Sequence, residues 1–319
     1  MSAPSLQIVI VNRNSGPLIT RCVGSIIGAA TGGGFVLQEV SIVDDESTDR
    51  SVDVCFPTEI PLKVVRGNRS GYGASCNVGA LAGTADYVLF LNTDAFLQPD
   101  ALSRPIAFLE DPANTAVGIL GIQLRYENGE VAAHCRNFPK LLDFFGESVG
   151  LEPVMRRYGR GRFLAFDCRS TRKVDQPMGA YMLMRGALFR KLKGYDERFF
   201  VYYEDLDLAR RARERGYDAI YFADAWATHL SGATARRVWA ESIFFNLRSK
   251  LLFIVKWFGI GWGIVFFPLV YVVEPVLRSV SSLLRGRGSK ARAEFVALLG
   301  LWLNLPLLVL RGPRANWPF

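Results

Sequence analysis

The chain has 319 residues, of which 50% are hydrophobic and 21% are charged. This length allows one large α/β domain with an appendage and excludes a small fold held together by disulfides. The five cysteines are odd in number and contain no C-x-x-C pair, so neither a disulfide framework nor a zinc site is predicted. We expect them to be reduced and mostly buried.

The net charge of +8 is distributed unevenly along the chain. Residues 236–319 contain twelve Lys or Arg against three acidic residues, a net of +9, which leaves −1 for residues 1–235. Nucleic-acid-binding proteins usually carry their basic residues on the folded domain, whereas a basic and apolar tail is typical of a segment that contacts an anionic membrane surface. We therefore expect no nucleic-acid partner.

The first hundred residues alternate strand-like and helix-like segments. Strands are predicted at 6–11, 38–43, 61–65 and 86–91, and helices near 17–29, near 49–55 and at 74–82. This order predicts an α/β fold with a mostly parallel, Rossmann-like sheet flanked by helices. The first strand begins almost at once, without a signal-length apolar stretch before it, so we expect this part of the chain to stay in the cytoplasm.

The pattern becomes irregular over residues 117–173 and then resumes. A strand-like run at 179–184 is followed by a predicted helix at 186–192, an acidic cluster, an Arg-rich helix that ends at Gly216, and a strand at 219–222. The irregular region is interpreted as substrate-binding loops.

Three acidic clusters follow strand-like runs. Their members are Asp44 with Asp45, Asp94, and Glu204 with Asp205 and Asp207. Open α/β sheets gather their ligands at the carboxyl ends of strands, so the clusters predict a site for a metal and a phosphate. Each carboxylate alone could instead cap a helix or complement its dipole. Three clusters of this kind are hard to explain by capping alone.

Four motifs succeed one another along residues 5–235. They are VDDESTD at 43–49, NRSGYG at 68–73 with Asn77 and Gly79, LNTD at 91–94, and GYDERFF at 194–200 with Tyr203, Glu204 and Asp205. Their order and spacing resemble those of the inverting family 2 glycosyltransferases with a GT-A fold. Their combination is similar to that of the rhamnosyltransferase-like branch of this family.

The resemblance implies a nucleotide-sugar site at the strand ends. Asp44 would contact the pyrimidine ring, Asp45 would approach the ribose, and Arg69 would reach the diphosphate. The glycine at 71 would let the backbone come close to the nucleotide. The other residues implied for this site are Asn12, Asn77, Asn92, Thr93 and Asp94.

The resemblance also implies a divalent metal, Mg²⁺ or Mn²⁺, which would neutralise the diphosphate leaving group. Asp94 would hold it, with His229 as a further ligand, although a lone histidine after a strand is more often structural. Asn92 stands where the first aspartate of a D-x-D motif is often found, and its carbonyl could still ligate. His134, the other histidine, lies in no comparable motif, and no role is predicted for it.

Inversion requires a carboxylate within hydrogen-bond reach of the acceptor hydroxyl, which must lose its proton as it attacks. Asp205 is the predicted base. Glu204 would orient the acceptor or assist, and Asp196 would shape the acceptor pocket.

The tail contains two apolar runs. Residues 251–273 are long enough to span a bilayer, whereas residues 295–310 are short for a span. A transmembrane hairpin would place the basic loop between them outside, against the positive-inside tendency. We therefore predict helices that lie in the cytoplasmic leaflet, which makes the protein peripheral or monotopic. The alternatives are a packed helical appendage or the interface of a homo-oligomer.

Together these inferences predict a GT-A catalytic domain at 1–235, with a nucleotide-sugar half at about 1–115 and an acceptor half at about 116–235, and a helical membrane-associated tail at 236–319. The expected activity is metal-dependent inverting transfer of a sugar such as L-rhamnose from a dTDP- or UDP-sugar to a polyprenyl-diphosphate-linked glycan. This reaction would serve cell-envelope polysaccharide synthesis. The alternatives are transfer of another sugar, such as galactofuranose, or an inactive GT-A scaffold at the membrane.

Overall fold

The computed structural model describes residues 3–53, 56, 59–132, 135–158, 168–230 and 239–311, with Arg156 and 304–311 described by their backbone only. The chain divides into two compact units. The sheet unit comprises Met1–Phe138, Leu164–Asp196 and Asp205–Ala233. The helical unit comprises Pro139–Phe163, Glu197–Glu204 and Thr234–Phe319.

The strands are β1 (Ser5–Asn12), β2 (Val36–Asp44), β3 (Leu62–Arg66), β4 (Tyr87–Asn92), β5 (Ala95–Leu97), β6 (Val117–Arg125), β7 (Arg172–Val174), β8 (Tyr181–Arg185) and β9 (Asp218–His229). The helices are α1 (Leu18–Ala30), α2 (Tyr72–Ala80), α3 (Ser103–Glu110), α4 (Leu141–Ser148), α5 (Glu152–Arg157), α6 (Gly186–Lys191), α7 (Glu204–Glu214), α8 (Trp239–Phe258), α9 (Ile260–Pro268), α10 (Glu274–Leu284) and α11 (Gly288–Arg311).

The described strands form one sheet in the order β3-β2-β1-β4-β8-β6-β9-β5, with β7 paired to β9. The first four strands are parallel, as predicted. The second half is mixed, because β8 runs antiparallel to both β4 and β6, while β6 and β9 are parallel. The α/β prediction is confirmed, and the parallel character belongs to the half that holds β1 to β4.

Side chains on successive strand positions alternate between two apolar layers, because a strand points them to opposite faces. Ile8 and Ile10 join the layer that contains α1, and Val9 joins the layer that contains α2 and α6. Gly79 lets α2 approach closely, since a Cβ there would stand 2.5 Å from a methyl carbon of Val9. Helices on both faces explain why the central strands are continuous apolar runs.

Two sequence predictions of local structure are wrong. Residues 49–53 of the predicted helix near 49–55 form bends and turns, and residues 54 and 55 lie outside the described residues. Asp49 accepts hydrogen bonds from the backbone of Gly16 and Ser51, and Arg50 has a φ of 59°, so local side-chain bonding replaces the helix. The region 117–173, predicted to be irregular, contains β6, α4 and α5.

The four described cysteines are buried, as predicted, and Cys55 lies outside the described residues.

The helical unit breaks the apolar stretch 251–273 at Gly259. This residue has a φ of 94°, a conformation that glycine adopts at little cost and that ends α8 before α9 begins. The apolar stretch 251–273 is therefore divided between two helices and is not one continuous helix. Instead α9, a π-helical turn at Leu269–Val273 and α10 form a continuous helix, Ile260–Leu284, whose 25 residues are enough by length and composition to cross a membrane.

A cluster of charged side chains is buried in the helical unit. Lys250 lies 2.9 Å from a carboxylate oxygen of Glu147 and 2.9 Å from one of Glu274. The Glu274 carboxylate also accepts hydrogen bonds from Ser148 at 2.9 Å and from Arg278 at 2.7 Å. Burial alone would lower the pKa of Lys250, but the two carboxylates outweigh it, so that the pKa is raised and the cation is retained.

Arg248, two residues earlier on α8, is a buried cation whose charge is not balanced in this way. Its side chain is 3% exposed, and none of its guanidinium nitrogens has a hydrogen-bond partner among the described residues. Burial lowers its pKa. An unpaired buried cation is costly, so Arg248 reduces the stability of the helical unit.

Two substitutions on α8 should therefore change the free energy of unfolding in opposite directions. Lys250→Met should lower it by about 3 kcal/mol, because it leaves the carboxylates of Glu147 and Glu274 undercompensated. Arg248→Met should raise it, because it removes an unpaired cation and keeps the apolar volume. Urea unfolding of both variants beside the wild type measures the two differences. Shifts in the same direction would contradict this explanation.

Candidate active site

The polar residues that end β1, β2 and β3 lie side by side in the sheet unit. The strand register pairs Asn12 with Asp44, and Asp44 with Arg66. Asn12 is fully buried, and its amide nitrogen lies 2.9 Å from a carboxylate oxygen of Asp44 and 2.9 Å from the hydroxyls of Ser47 and Ser51. This bonding holds the two loops after β1 and β2 together at one edge of the sheet.

Asp44 connects this buried network to the surface. One of its carboxylate oxygens accepts from Asn12, and the other accepts from Arg66 at 2.8 Å. The Asp44 side chain is 1% exposed and the Arg66 side chain 69% exposed. Arg66 was not predicted as a site residue, although it ends a strand beside a predicted one.

Asp45 and the 67–71 loop lie next to Asp44. A carboxylate oxygen of Asp45 accepts a hydrogen bond from the Ser75 hydroxyl at 3.2 Å, which ties the end of β2 to α2. Gly71 precedes α2 with a φ of 94°, a conformation that requires glycine, and Arg69 has a φ of 52° and is exposed. The loop therefore brings backbone close to Asp45 and leaves the Arg69 side chain at the surface.

The Asn77 side chain is buried and bonds to the protein backbone. Its amide nitrogen donates to the backbone carbonyl of Tyr195 at 3.0 Å, and its amide oxygen accepts from the Tyr195 backbone nitrogen at 2.8 Å. The side chain thus joins α2 to the turn before Asp196, which is itself half-buried. These contacts give Asn77 a positioning role.

The segment after β4 meets the end of β9. The antiparallel register of β5 and β9 pairs Ala95 with His229, and the Leu230 backbone donates to the Asp94 carbonyl at 3.1 Å. The His229 Nε2 atom lies 3.2 Å from a carboxylate oxygen of Asp94, and both side chains are buried. Two residues far apart in sequence, both predicted for the metal, are therefore in contact. The Asp94 carboxylate does not cap α3, which begins at Ser103.

Asn92 and Thr93 precede Asp94 on the same turn. Asn92 ends β4 and donates its backbone nitrogen to the Ala180 carbonyl at 3.0 Å, and Thr93 is buried. Cys22 lies behind this turn, and burial, followed by the nearby charge of Asp94, raises the pKa of its thiol. The thiol therefore stays protonated and neutral.

The donor atoms at Asp94 and His229 fit a metal that is bound mainly through its substrate. Among the described residues no group of three or more His, Cys, Asp and Glu side chains converges. One carboxylate oxygen and one imidazole nitrogen do converge, and Mg²⁺ is commonly held by one or two carboxylates together with phosphate oxygens and water. The pair suits such an ion and does not suit a closed structural metal site.

Asp205, in the first turn of α7, is held from two sides. One carboxylate oxygen accepts from the Gln176 amide nitrogen at 2.7 Å, and the other accepts from the Leu206 backbone nitrogen at 2.8 Å. A Cβ at Gly179 would stand 3.0 Å from the same carboxylate, a contact tighter than most side chains make, so a larger residue there would displace the carboxylate slightly. The side chain is partly exposed and keeps lone pairs available for a proton.

Gln176, like Arg66, was not predicted as a site residue. It is fully buried and lies between the region predicted to be irregular and the strand-like run at 179–184, where no periodic pattern marks it. Its backbone pairs with that of Arg136 in both directions, which fixes the side chain toward Asp205.

The residues that precede Asp205 have an unusual backbone. Tyr202 and Tyr203 both have a φ of 68°, which for bulky residues costs about 1–3 kcal/mol each. Glu204 follows them, is buried, and begins α7. Asp207, by contrast, is fully buried in an ion pair with Arg211 at 2.7 Å and has a structural role.

This architecture is shared with a solved glycosyltransferase. The mannosyltransferase PcManGT from Pyrobaculum calidifontis, determined in complex with GDP-Man and Mn²⁺, superposes with a TM-score of 0.54 at 16% identity, over 95% of this chain and 88% of that one. The likeness shows that the chain has the same fold, which is of the GT-A type.

The chain belongs to Glycosyl transferase family 2, whose model matches residues 7–168. It is similar to the N-acetylglucosaminyl-diphospho-decaprenol L-rhamnosyltransferase of Mycobacterium tuberculosis, at 26% identity over 81% of this chain and 86% of the relative. It is also similar to the rhamnosyltransferase WbbL of Escherichia coli, at 24% identity over 61% of this chain and 74% of the relative. The predicted family is confirmed.

The hydrogen bond from Gln176 should affect turnover more than donor binding. Gln176→Leu should lower kcat about tenfold with little change in the donor KM, because it removes a hydrogen bond to a charged carboxylate. Gln123→Leu is the matched control, since Gln123 is also buried but donates to the Cys168 carbonyl at 2.8 Å. Steady-state kinetics and thermal unfolding midpoints of both variants distinguish a role of Gln176 in turnover from a role in the stability of the fold. Equal losses of kcat in both would mean that Gln176 only supports the fold.

Proposed function

We propose that the protein is a metal-dependent inverting glycosyltransferase that moves a sugar, with L-rhamnose favoured, from a dTDP- or UDP-sugar to a polyprenyl-diphosphate-linked glycan. The observation that carries the proposal is the contact between Asp94 and His229 in the sheet unit that also holds the strand ends at Asn12 and Asp44. Family membership supports sugar transfer. The names of both rhamnosyltransferase relatives support the sugar, and the name of the mycobacterial one supports a polyprenyl-diphosphate-linked acceptor, as expected in cell-envelope polysaccharide synthesis.

The donor nucleotide is proposed to bind at the ends of β1 and β2. A buried carboxylate such as Asp44 can accept from a pyrimidine N–H, and the Asn12 network orients it without using all of its lone pairs. Asp45 lies beside it for the ribose. Arg69, and also the exposed Arg66, can pair with phosphate oxygens in the forked geometry of a guanidinium.

The diphosphate is proposed to lie at Asp94 and His229. A divalent ion, Mg²⁺ or Mn²⁺, would be held by these two side chains and would neutralise charge on the leaving group. Thr93 and Asn92 precede Asp94 directly and offer a hydroxyl and an amide to the same turn. Burial of the pair reduces dielectric screening and strengthens its attraction for a cation.

Asp205 is proposed to take the proton of the acceptor hydroxyl. Gln176 and the Leu206 backbone each occupy one lone pair, one on each of its oxygens, which orients the carboxylate and leaves further lone pairs for the acceptor hydroxyl. Glu204 and Asp196 are proposed to orient the acceptor, on the basis of their places in the sequence motifs.

The helical unit is proposed to hold the enzyme at the cytoplasmic face of the membrane. Its helices expose large apolar side chains, among them Ile260 at 68% and Leu284 at 84%, and its charge is strongly positive. Apolar insertion and attraction to anionic lipids act together in such a surface. We propose the division into a catalytic domain at 1–235 and a membrane-associated tail at 236–319 on this basis. An inactive scaffold is disfavoured because it would have no need of the oriented carboxylates at positions 94 and 205.

Replacing Asp205 tests the base. Asp205→Asn should reduce transfer about a hundredfold or more and leave donor affinity nearly unchanged, because the loss falls on proton abstraction. Transfer assays and calorimetry with the donor nucleotide, on the same preparation, measure both quantities. Turnover close to that of the wild type would remove Asp205 from the mechanism.

Replacing Asp94 or His229 tests the metal pair. Each alanine variant should weaken the metal-dependent part of donor binding, and Asp94→Ala should weaken it more, because a carboxylate offsets the charge of the cation directly. Calorimetric titration of the donor with Mg²⁺, with Mn²⁺ and with a chelator gives the metal-dependent part. Wild-type donor affinity that is the same in all three conditions would refute the metal site.

A further inference from the structure

The helical unit contains a cavity of about 210 Å³ between α4, α10 and the start of α11. Its volume is below the roughly 300–1,000 Å³ of pockets that bury a whole drug-sized ligand, so it suits a small group. Acidic residues, serines and basic residues all line it. The acidic members are Glu147, Glu274 and Glu294, and the basic members are Arg278, Arg285, Arg287 and Lys290.

Three of these seven charged residues are already paired within the protein. Glu147 and Glu274 pair with Lys250, and Arg278 pairs with Glu274. The remaining cations are not compensated in this way. Neither Arg285 nor Arg287 forms an ion pair with a residue in the described part of the chain, and the ammonium group of Lys290 lies 4.8 Å from the centre of the Trp239 ring.

The cavity also contains a buried carboxylate, that of Glu294. It lines the cavity, is 2% exposed, and its Oε2 atom has no hydrogen-bond partner among the described residues. A buried carboxylate oxygen in this state favours a ligand that donates a hydrogen bond, and a cationic donor most of all. The arginines of the cavity can therefore pair with an anionic group of a ligand. The Glu294 carboxylate can accept a hydrogen bond from a cationic group of the same ligand.

We propose that this cavity binds the phosphoethanolamine headgroup of a phospholipid. The phosphate would pair with Arg285 and Arg287, and the primary ammonium would donate to Glu294. The exposed apolar side chains of Leu277, Leu283 and Leu284 lie on the helix that lines the cavity, where acyl chains would continue from the headgroup. A diphosphate fits less well, because it would bring two or more negative charges beside Glu294 without a donor for it.

The proposal rests on the proposed membrane location of the helical unit and adds a choice of lipid to it. Ethanolamine and choline phospholipids have the same net charge, but only the ethanolamine headgroup has N–H donors for Glu294. A preference between them therefore cannot come from attraction of the basic tail to surface charge.

Co-sedimentation of the full-length protein tests the proposal. Vesicles of phosphatidylcholine alone, and with equal fractions of phosphatidylethanolamine or phosphatidylglycerol, are compared at one salt concentration. The wild type should bind the ethanolamine vesicles on the order of tenfold more tightly than the choline vesicles, as expected for one charge-assisted hydrogen bond. Glu294→Gln and Arg285→Gln should each remove this preference.

Arg292→Gln is the matched control, because Arg292 is an exposed residue of α11 outside the cavity lining and its loss changes the charge as Arg285→Gln does. It should keep the preference. Arg285 is exposed, so its variant remains informative if Glu294→Gln is less stable. Glycerophosphoethanolamine in solution should compete with the ethanolamine vesicles, whereas inorganic phosphate should not.

Several results would overturn the proposal. A preference that persists in Glu294→Gln would come from the effect of ethanolamine lipids on bilayer packing. Equal binding to choline and ethanolamine vesicles would refute the headgroup site and leave the membrane location standing. Absence of binding to all vesicles would refute both, whereas sugar transfer to a water-soluble acceptor would still test the catalytic proposal separately.

Discussion

The contact between Asp94 and His229 is the interaction on which the candidate site depends. It joins the turn after β4 to the end of β9, and the antiparallel pairing of β5 with β9 holds it in register. A shift of one residue in that pairing would turn the imidazole to the other face of the sheet, because side chains alternate along a strand. The mixed second half of the sheet therefore serves to bring a histidine to a carboxylate that the parallel half supplies.

The parallel half could be predicted closely from the sequence. β1 and β4 contain continuous apolar runs because helices cover both faces of these strands, β2 is buried only in its second half, and the polar residue that ends each strand marks the sheet edge. Asn12, Asp44 and Asp94 were found in this way or through the family motifs. The contact of Asp94 with His229 followed from the resemblance and not from any local pattern, because tertiary pairing alone brings them together.

Other features could not be predicted, each for a physical reason. The loop at 49–53 replaces helical hydrogen bonds with bonds from Asp49 to the backbone. Gln176 is recognisable only from its contact with Asp205. Arg211, on the Arg-rich helix, is only partly exposed and donates to Asp207 and to two backbone carbonyls, contacts that no local pattern in the sequence marks. Gly259 divides an apolar run that looked like one segment, since its positive φ shows only in the folded chain.

Carboxylates have different kinds of partner in the two units. In the sheet unit the Asp205 carboxylate accepts from two neutral donors, the Gln176 amide and the Leu206 backbone, whereas Asp44 accepts from the neutral Asn12 amide and from the exposed guanidinium of Arg66. In the helical unit Lys250 and Arg278 neutralise buried carboxylates within the protein, whereas Arg248 stays unpaired among the described residues. Carboxylates that are oriented but not neutralised are what a reaction with a cation and a proton requires.

The stereochemistry of the product tests the central claim most directly. Full-length protein is incubated with dTDP- and UDP-sugars, Mg²⁺ and a short-chain polyprenyl-diphosphate-linked acceptor, and NMR gives the anomeric configuration of the new linkage. Direct attack by a hydroxyl that Asp205 deprotonates predicts a single product whose anomeric configuration is opposite to that of the donor. A product with retained configuration, or no transfer from any of these donors while the protein is folded, would contradict the account.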